Sequence, residues 1–200
     1  MPFPEFFALA PTITVQDRLA AFLGAPVHGH ITYAYADAVR LAGHSCPTVA
    51  GAWLMSIKAM TALWPDAMPE RGAVQLLLPD GQDEGVTGVI AAVAGLVTGA
   101  AGPGGFKGIG GRFNRANLVE FAQPIPASLG FRRTDTGAGI LAAYNPALVP
   151  PSDAMRPALQ RILAGIETPE DAAIFARSWQ DRVRRILVEH ADEVVTLTPY

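Results

Sequence analysis

The sequence predicts a single α+β domain in which buried helices pack on a mixed or antiparallel sheet, followed by a C-terminal helical appendage. Residues 49–63 and 85–100 are apolar on nearly every side, which is typical of helices enclosed in a core. Between these helices and residue 145, short apolar runs bounded by Pro and Gly predict strands. Half of the 200 residues are apolar and only 16% are charged, so we expect a substantial core and a homodimer that covers remaining apolar surface.

Three helices are predicted in the first third of the chain. We expect the first over residues 11–23, capped by Thr14, and the second over residues 32–41. Gly43 is suited to ending the second helix in a left-handed conformation. Pro47 is suited to the first turn of the third helix, over residues 47–63.

The remaining elements alternate between strands and helices until the C-terminal region. In order, we predict a strand at 73–78, a helix at 85–100, a glycine-rich loop at 99–111, and strands at 118–121, 130–133 and 139–144. Pro150 and Pro151 then break the pattern, and helices follow at 153–164 and 169–190, the latter capped by Thr168. We therefore assign residues 1–150 to the core and residues 151–200 to a helical extension of the same domain.

Charge and cysteine content exclude several classes of protein. The net charge is −3 and no run of Lys or Arg is present, so we expect neither nucleic acid nor an anionic membrane as a partner. The apolar stretch 85–102 is diluted by Gly and Ala, which favours a core helix over a membrane span. A single cysteine excludes an internal disulfide, and the N-terminus lacks the pattern of a secretion signal, so we expect a cytoplasmic protein.

Metal-ligand residues are concentrated between positions 28 and 46. This segment holds the only cysteine, Cys46, and three of the four histidines, His28, His30 and His44. A His-x-Cys pair allows an imidazole and a thiolate to reach one ion, and a third protein ligand would leave one position open. Cys46 precedes a predicted helix, whose N-terminal dipole favours the thiolate. We therefore predict a site for Zn²⁺, or for Fe, Ni or Co, at His44 and Cys46 with His30 or His28 as third ligand.

Other chemistry remains open for the same residues. Cys46 could act as a nucleophile activated by His44 or His30, or a His/Cys pair could ligate a non-covalent haem. A purely structural role, with Cys46 as a small buried apolar side chain, is the alternative to all of these. An enzyme would need a general acid or base beside the open metal position, whereas a carrier of a small-molecule ligand would not.

The glycine-rich loop 99–111 offers a second possible site. Its backbone amides, with Lys107 and Arg112 nearby, could cradle an anion. The loop follows a helix and lacks the Gly-Lys-Ser/Thr of nucleotide-binding loops, so a lid or an ordinary turn is favoured.

One segment also resembles a known family. The run Gly43-His44-Ser45-Cys46-Pro47, followed by Gly51, resembles the Gly-His-x-Cys-Pro-Gly signature of the formylmethanofuran dehydrogenase E-subunit family. Residues 111–118 are similar to that family's Gly-Lys-Gly-Asn-Leu region, and residues 136–140 fit a later strand. The resemblance implies an α+β domain, a homodimer and a divalent ion at His44 and Cys46. Thr48 departs from the signature, and two helices replace the Cys-rich zinc-binding tail of longer members.

Overall fold

A long buried helix organises the fold of residues 3–200, the part of the chain that the computed structural model describes. The α-helices are α1 (Arg18–Leu23), α2 (Tyr35–Ala42), α3 (Pro47–Leu63), α4 (Thr87–Thr98), α5 (Met155–Leu163) and α6 (Pro169–Arg184). The strands are β1 (Ile13–Asp17), β2 (His30–Tyr33), β3 (Glu70–Arg71), β4 (Val74–Leu77), β5 (Val119–Glu120), β6 (Leu129–Arg133), β7 (Gly139–Tyr144) and β8 (Val195–Pro199). A π-helical turn, Arg185–Glu189, follows α6.

Helix α3 forms the centre of the core. Twelve of its 17 residues are buried, and the helix packs against α4 and β7. Pro47 occupies its first turn, as predicted, because the missing amide hydrogen has no partner to lose there. The buried Trp53 donates its indole N–H to the Pro11 carbonyl oxygen at 3.0 Å, which ties α3 to the N-terminal segment.

Two mixed sheets pack with these helices, which confirms the predicted α+β class. The larger sheet has the order β5-β4-β6-β7-β8, in which only the β4–β5 pair is parallel. The smaller sheet has the order β2-β1-β3, with β1 antiparallel to β2 and parallel to β3. The end of β1 therefore lies beside β3, and from β3 the chain continues into β4 of the larger sheet.

The predicted helix over residues 11–23 is wrong in its first half. Residues 13–17 form β1, in which buried and more exposed positions alternate and Ile13 pairs with Tyr33 of β2. The β-branched residues at 13–15 favour this pairing over a helix. Helix α1 starts only at Arg18, and Asp17, not Thr14, caps it.

The second predicted helix is also shorter than expected. Thr32 and Tyr33 belong to β2, and α2 begins at Tyr35. Its end is as predicted, since Gly43 has φ +76° and its amide bonds to the Val39 carbonyl oxygen. The strand at the start and the glycine at the end together leave an eight-residue helix.

The later elements follow the prediction more closely, with two omissions. The predicted strands and helices from residue 73 onward correspond to β4, α4, β5, β6, β7, α5 and α6. Strands β3 and β8 were not predicted. Because β8 pairs with β7, the extension predicted as wholly helical also contributes an edge strand to the larger sheet.

The apolar stretch from residue 85 forms α4, a 12-residue helix that packs on α3. Within residues 3–200, no helix is both long and apolar enough to cross a membrane. The homodimer stays a prediction.

Gly51 provides a test of the packing around α3. A Cβ atom there would lie 2.3 Å from Tyr144 Cε1, and the Tyr144 hydroxyl is anchored by donating to the Pro47 carbonyl oxygen at 2.8 Å. We expect Gly51→Ala to lower the free energy of unfolding by about 1–3 kcal/mol through overpacking, although alanine is the better helix former. Urea denaturation would measure the change.

Gly104→Ala is the matched control, because no heavy atom lies within 4 Å of a Cβ at that position. Equal stability of the two variants would contradict the packing of Tyr144 on α3.

Candidate functional site

The three histidines of the His28–Cys46 segment lie on the surface. His28 has φ +60°, and the centroids of the His28 and His30 rings are 6.1 Å apart. His44 is exposed just beyond α2, with Nδ1 3.0 Å from the Ala42 carbonyl oxygen. The His44 ring is therefore placed by the local backbone.

Cys46 faces the interior instead. It caps α3, and its Sγ accepts a hydrogen bond from the Val49 amide at 3.4 Å, which confirms the predicted position at a helix N-terminus. The residue is 8% exposed, and its side chain lies near two phenols, Tyr35 and Tyr144. Burial raises the pKa of both tyrosines well above the ordinary value, so both are neutral at physiological pH.

Helix α6 covers the turn that carries these residues. Trp179 Nε1 and Gln180 Nε2 both donate to the Ser45 carbonyl oxygen, at 3.0 and 3.2 Å. The Ser45 hydroxyl is in turn 3.0 Å from the Tyr35 hydroxyl. The C-terminal extension is thus part of the enclosure around Cys46 and not a separate appendage.

These positions bear on the predicted metal site. Within residues 3–200, no group of three or more His, Cys, Asp or Glu side chains is arranged to hold a metal ion. His44 points to solvent and Cys46 to the core, so the structure does not assemble His44, Cys46, His30 and His28 into one ligand set. The metal and haem hypotheses stay predictions.

A different cluster of chemically active side chains lines a cavity of about 370 Å³ near the C-terminal end of α3. We call it the arginine cavity. Its lining consists of Arg18, Glu70, Arg71, Gly72, Ala73, Arg112, Phe113, Asn114, Arg115, Thr134 and Asp135. At roughly 1.5 Å per residue, the 17 residues of α3 place Cys46 about 25 Å away at the other end of the helix.

A buried ion triad forms the back of the arginine cavity. Asp17 is 2% exposed; its Oδ2 accepts from Arg71 Nη1 and its Oδ1 from Arg115 Nη2, each at 2.8 Å. Asp17 Oδ1 also accepts the Leu19 and Ala20 amides as the cap of α1. Burial by itself raises the pKa of Asp17, but the Ala20 amide and the two guanidinium groups outweigh it and hold that pKa below its ordinary value.

A glycine leaves the space that the Arg115 guanidinium group occupies. A Cβ at Gly72, which has φ +90°, would lie 1.1 Å from Arg115 Nη1, so only glycine fits beside that group. The Gly72 amide and Arg71 Nε donate to the Thr98 and Leu96 carbonyl oxygens. Arg71 therefore satisfies the C-terminal end of α4 while it binds Asp17.

The glycine-rich loop 99–111 ends in a hydrogen-bonded turn at the rim of this cavity. Gly110 and Gly111 both have positive φ, and Ile109 and Arg112 exchange two backbone hydrogen bonds around them. Next to the turn, Phe113 has φ +65°, a strained conformation for a bulky side chain. Arg112 lies over the Phe113 ring, 4.7 Å from its centroid, so the turn presents a guanidinium group at the cavity mouth.

Sequence patterns indicate Arg112 as a candidate but miss Arg71, Arg115 and the role of Asp17. One signal is present for two of the arginines: in a chain with few charged residues, Arg71 precedes Gly72 and Arg112 follows Gly111, and glycines leave space for a large side chain. Arg112 and Arg115 also fall in the stretch 111–118 that carries part of the family resemblance.

Comparison with models of known protein families and with curated proteins found no match. The functional interpretation therefore depends on the residues of the cavity.

Asp17→Asn tests the triad. We expect a loss of about 3–5 kcal/mol in the free energy of unfolding at neutral pH, because the buried guanidinium group of Arg115 and the half-buried one of Arg71 lose their counter-ion. In the wild type, the stability from ionised Asp17 is present above its unfolded pKa of about 4 and disappears as pH falls through its lower folded pKa. Urea denaturation between neutral and acid pH would show this loss in the wild type and a flatter profile in the variant.

Asp181→Asn, which removes a partly exposed carboxylate paired with Arg184 and Arg185, is the control and should cost less than about 1 kcal/mol. Asp17→Asn protein as stable as this control would contradict the triad.

Proposed function

We propose that the protein binds a small molecule carrying a carboxylate or phosphate group in the arginine cavity. One observation carries the proposal. Arg115 lines the cavity and is 7% exposed, yet its Nε is enclosed and donates to no acceptor among residues 3–200. A buried charged donor without an acceptor is costly, and an oxyanion is the acceptor that guanidinium groups bind best.

The charge of the cavity supports an anionic ligand. The guanidinium groups of Arg18, Arg71, Arg112 and Arg115 outnumber the carboxylates of Glu70, Asp135 and Asp17. This local excess of positive charge occurs in a chain whose net charge is −3. A concave site with a net positive charge attracts anions, even though Arg18 is paired with Glu70, and a volume near 370 Å³ suits a small metabolite.

The titratable groups at the cavity favour binding over acid–base catalysis. No residue in the described lining is a histidine or a cysteine. The side-chain hydrogen bond from Arg133 lowers the pKa of Asp135 to about 2, so this carboxylate is a weak base at neutral pH. The arrangement is that of a carrier or sensor more than that of a hydrolase.

Titration calorimetry with inorganic phosphate and with succinate tests the proposal. We expect saturable binding of at least one of them, weakened by added NaCl because part of the attraction is electrostatic. Arg112→Gln should reduce affinity about tenfold, since it removes one charge-assisted contact at the exposed rim. Arg115→Lys should also reduce affinity, because it keeps the charge but loses the planar fork.

Arg177→Gln is the matched control, since Arg177 is exposed on α6 and does not line the cavity. The proposal is overturned if neither anion binds saturably, or if Arg112→Gln and Arg177→Gln bind as the wild type does.

A divalent metal ion at Cys46 and His44 is a second candidate. It is supported by the placement of Cys46 as the cap of α3, where the Val49 amide contacts the sulfur. His44 would have to turn away from the Ala42 carbonyl oxygen to share an ion with the thiolate.

Elemental analysis of the wild type and Cys46→Ala tests this candidate. A stoichiometric metal that is lost in Cys46→Ala would support it, and equal metal content in both would exclude Cys46 as a ligand. A visible absorption spectrum of the same samples would test haem.

A further inference from the structure

A second concave surface lies along the C-terminal half of α3. It is an open groove of about 640 Å³ between α3, the π-helical turn and β8. We call it the Lys58 groove and define it by Leu9, Ile57, Lys58, Leu187, Val188 and Leu197. It shares no lining residue with the arginine cavity.

Lys58 interrupts the most buried part of the core helix. Every residue from Val49 to Met60 is buried except Lys58, which is also the only charged residue of α3. Its ammonium donates to Asp192 Oδ1 at 2.6 Å, and the Asp192 side chain is 98% exposed. The Lys58 side chain is therefore mostly enclosed in the groove, whereas the carboxylate that pairs with it is exposed to solvent.

Apolar side chains surround this single positive charge. Ile57 and Leu187 are buried at the floor, whereas Leu9 and Val188 remain exposed along the walls. The wall that carries Leu187 and Val188 is the π-helical turn Arg185–Glu189. Such turns are rare in helices and frequent at functional sites.

We propose that the Lys58 groove binds a small amphipathic carboxylate, with its aliphatic chain along the apolar walls and its carboxylate on the Lys58 ammonium. Charge complementarity favours this ligand over a neutral lipid, because Lys58 is the one cationic side chain in the described lining of the groove and the carboxylate that pairs with it, Asp192, is fully exposed to solvent. Most ligand sites combine an apolar lining with a few placed polar groups in this way.

The exposed carboxylate of Asp192 marks where the ligand's head group would bind. Asp192 keeps Lys58 paired in the free protein, and a ligand carboxylate would replace one ion pair by another. Because Asp192 is fully hydrated, breaking its ion pair with Lys58 costs little free energy. The aliphatic chain of the ligand would also bury apolar surface of the groove, which Asp192 does not cover.

Titration calorimetry with octanoate, with 1-octanol as the neutral ligand of equal chain length, tests the proposal on the full-length protein. We expect saturable octanoate binding that is at least about tenfold tighter than that of 1-octanol, and a similar loss in Lys58→Met, as the removal of a charge-assisted contact predicts. Asp192→Asn should bind octanoate at least as tightly as the wild type, since it removes the competing carboxylate. Thermal unfolding of each variant would confirm that it is folded.

Absence of saturable octanoate binding would overturn the proposal. Equal affinity for octanoate and 1-octanol, or unchanged affinity in Lys58→Met, would do the same, because the lysine would then have no part in recognition. Weaker binding in Asp192→Asn would contradict the exchange of carboxylates on Lys58.

Discussion

The buried carboxylate of Asp17 holds together parts of the chain that are far apart in sequence. It ends β1, caps α1, and binds guanidinium groups that lie 54 and 98 residues further along the chain. Arg71 in turn satisfies a carbonyl oxygen at the end of α4. Through these bonds the smaller sheet, α4 and the glycine-rich loop take up fixed positions around one cavity.

Stability alone does not explain why charged groups occupy this place. Desolvating a carboxylate and two guanidinium groups offsets much of their mutual attraction, and an apolar cluster of the same volume would serve as well or better. Retaining the charges lowers the stability of the free protein, and binding of an oxyanion would offset that loss. Because the Arg115 side chain is already held in place, binding would not have to immobilise it. The strained Phe113 at the cavity rim is consistent with selection for a site rather than for stability.

Sequence patterns predicted the elements whose signals are local. Gly43, Pro47 and the apolar run after Val49 specify where α2 ends and α3 begins. These signals do not depend on contacts with the rest of the fold. Residues 13–17 carry both a strand alternation and part of a helical spacing, and pairing with β2 decides between them. Cys46 and His44 were chosen as candidates because cysteine and histidine are rare in this chain. Their spacing does not reveal that the Cys46 side chain points inward and the His44 side chain outward. The arginine cavity depends on contacts across half the chain, which a local pattern does not contain.

The most direct measurement is an NMR titration of the arginine Nε–Hε resonances with inorganic phosphate. If the arginine cavity binds an oxyanion, the Arg112 and Arg115 signals shift together and saturate with one dissociation constant, while the Arg177 signal does not move. Unchanged Arg112 and Arg115 signals up to millimolar phosphate and succinate would contradict a binding role and leave the Asp17 triad as a purely structural feature.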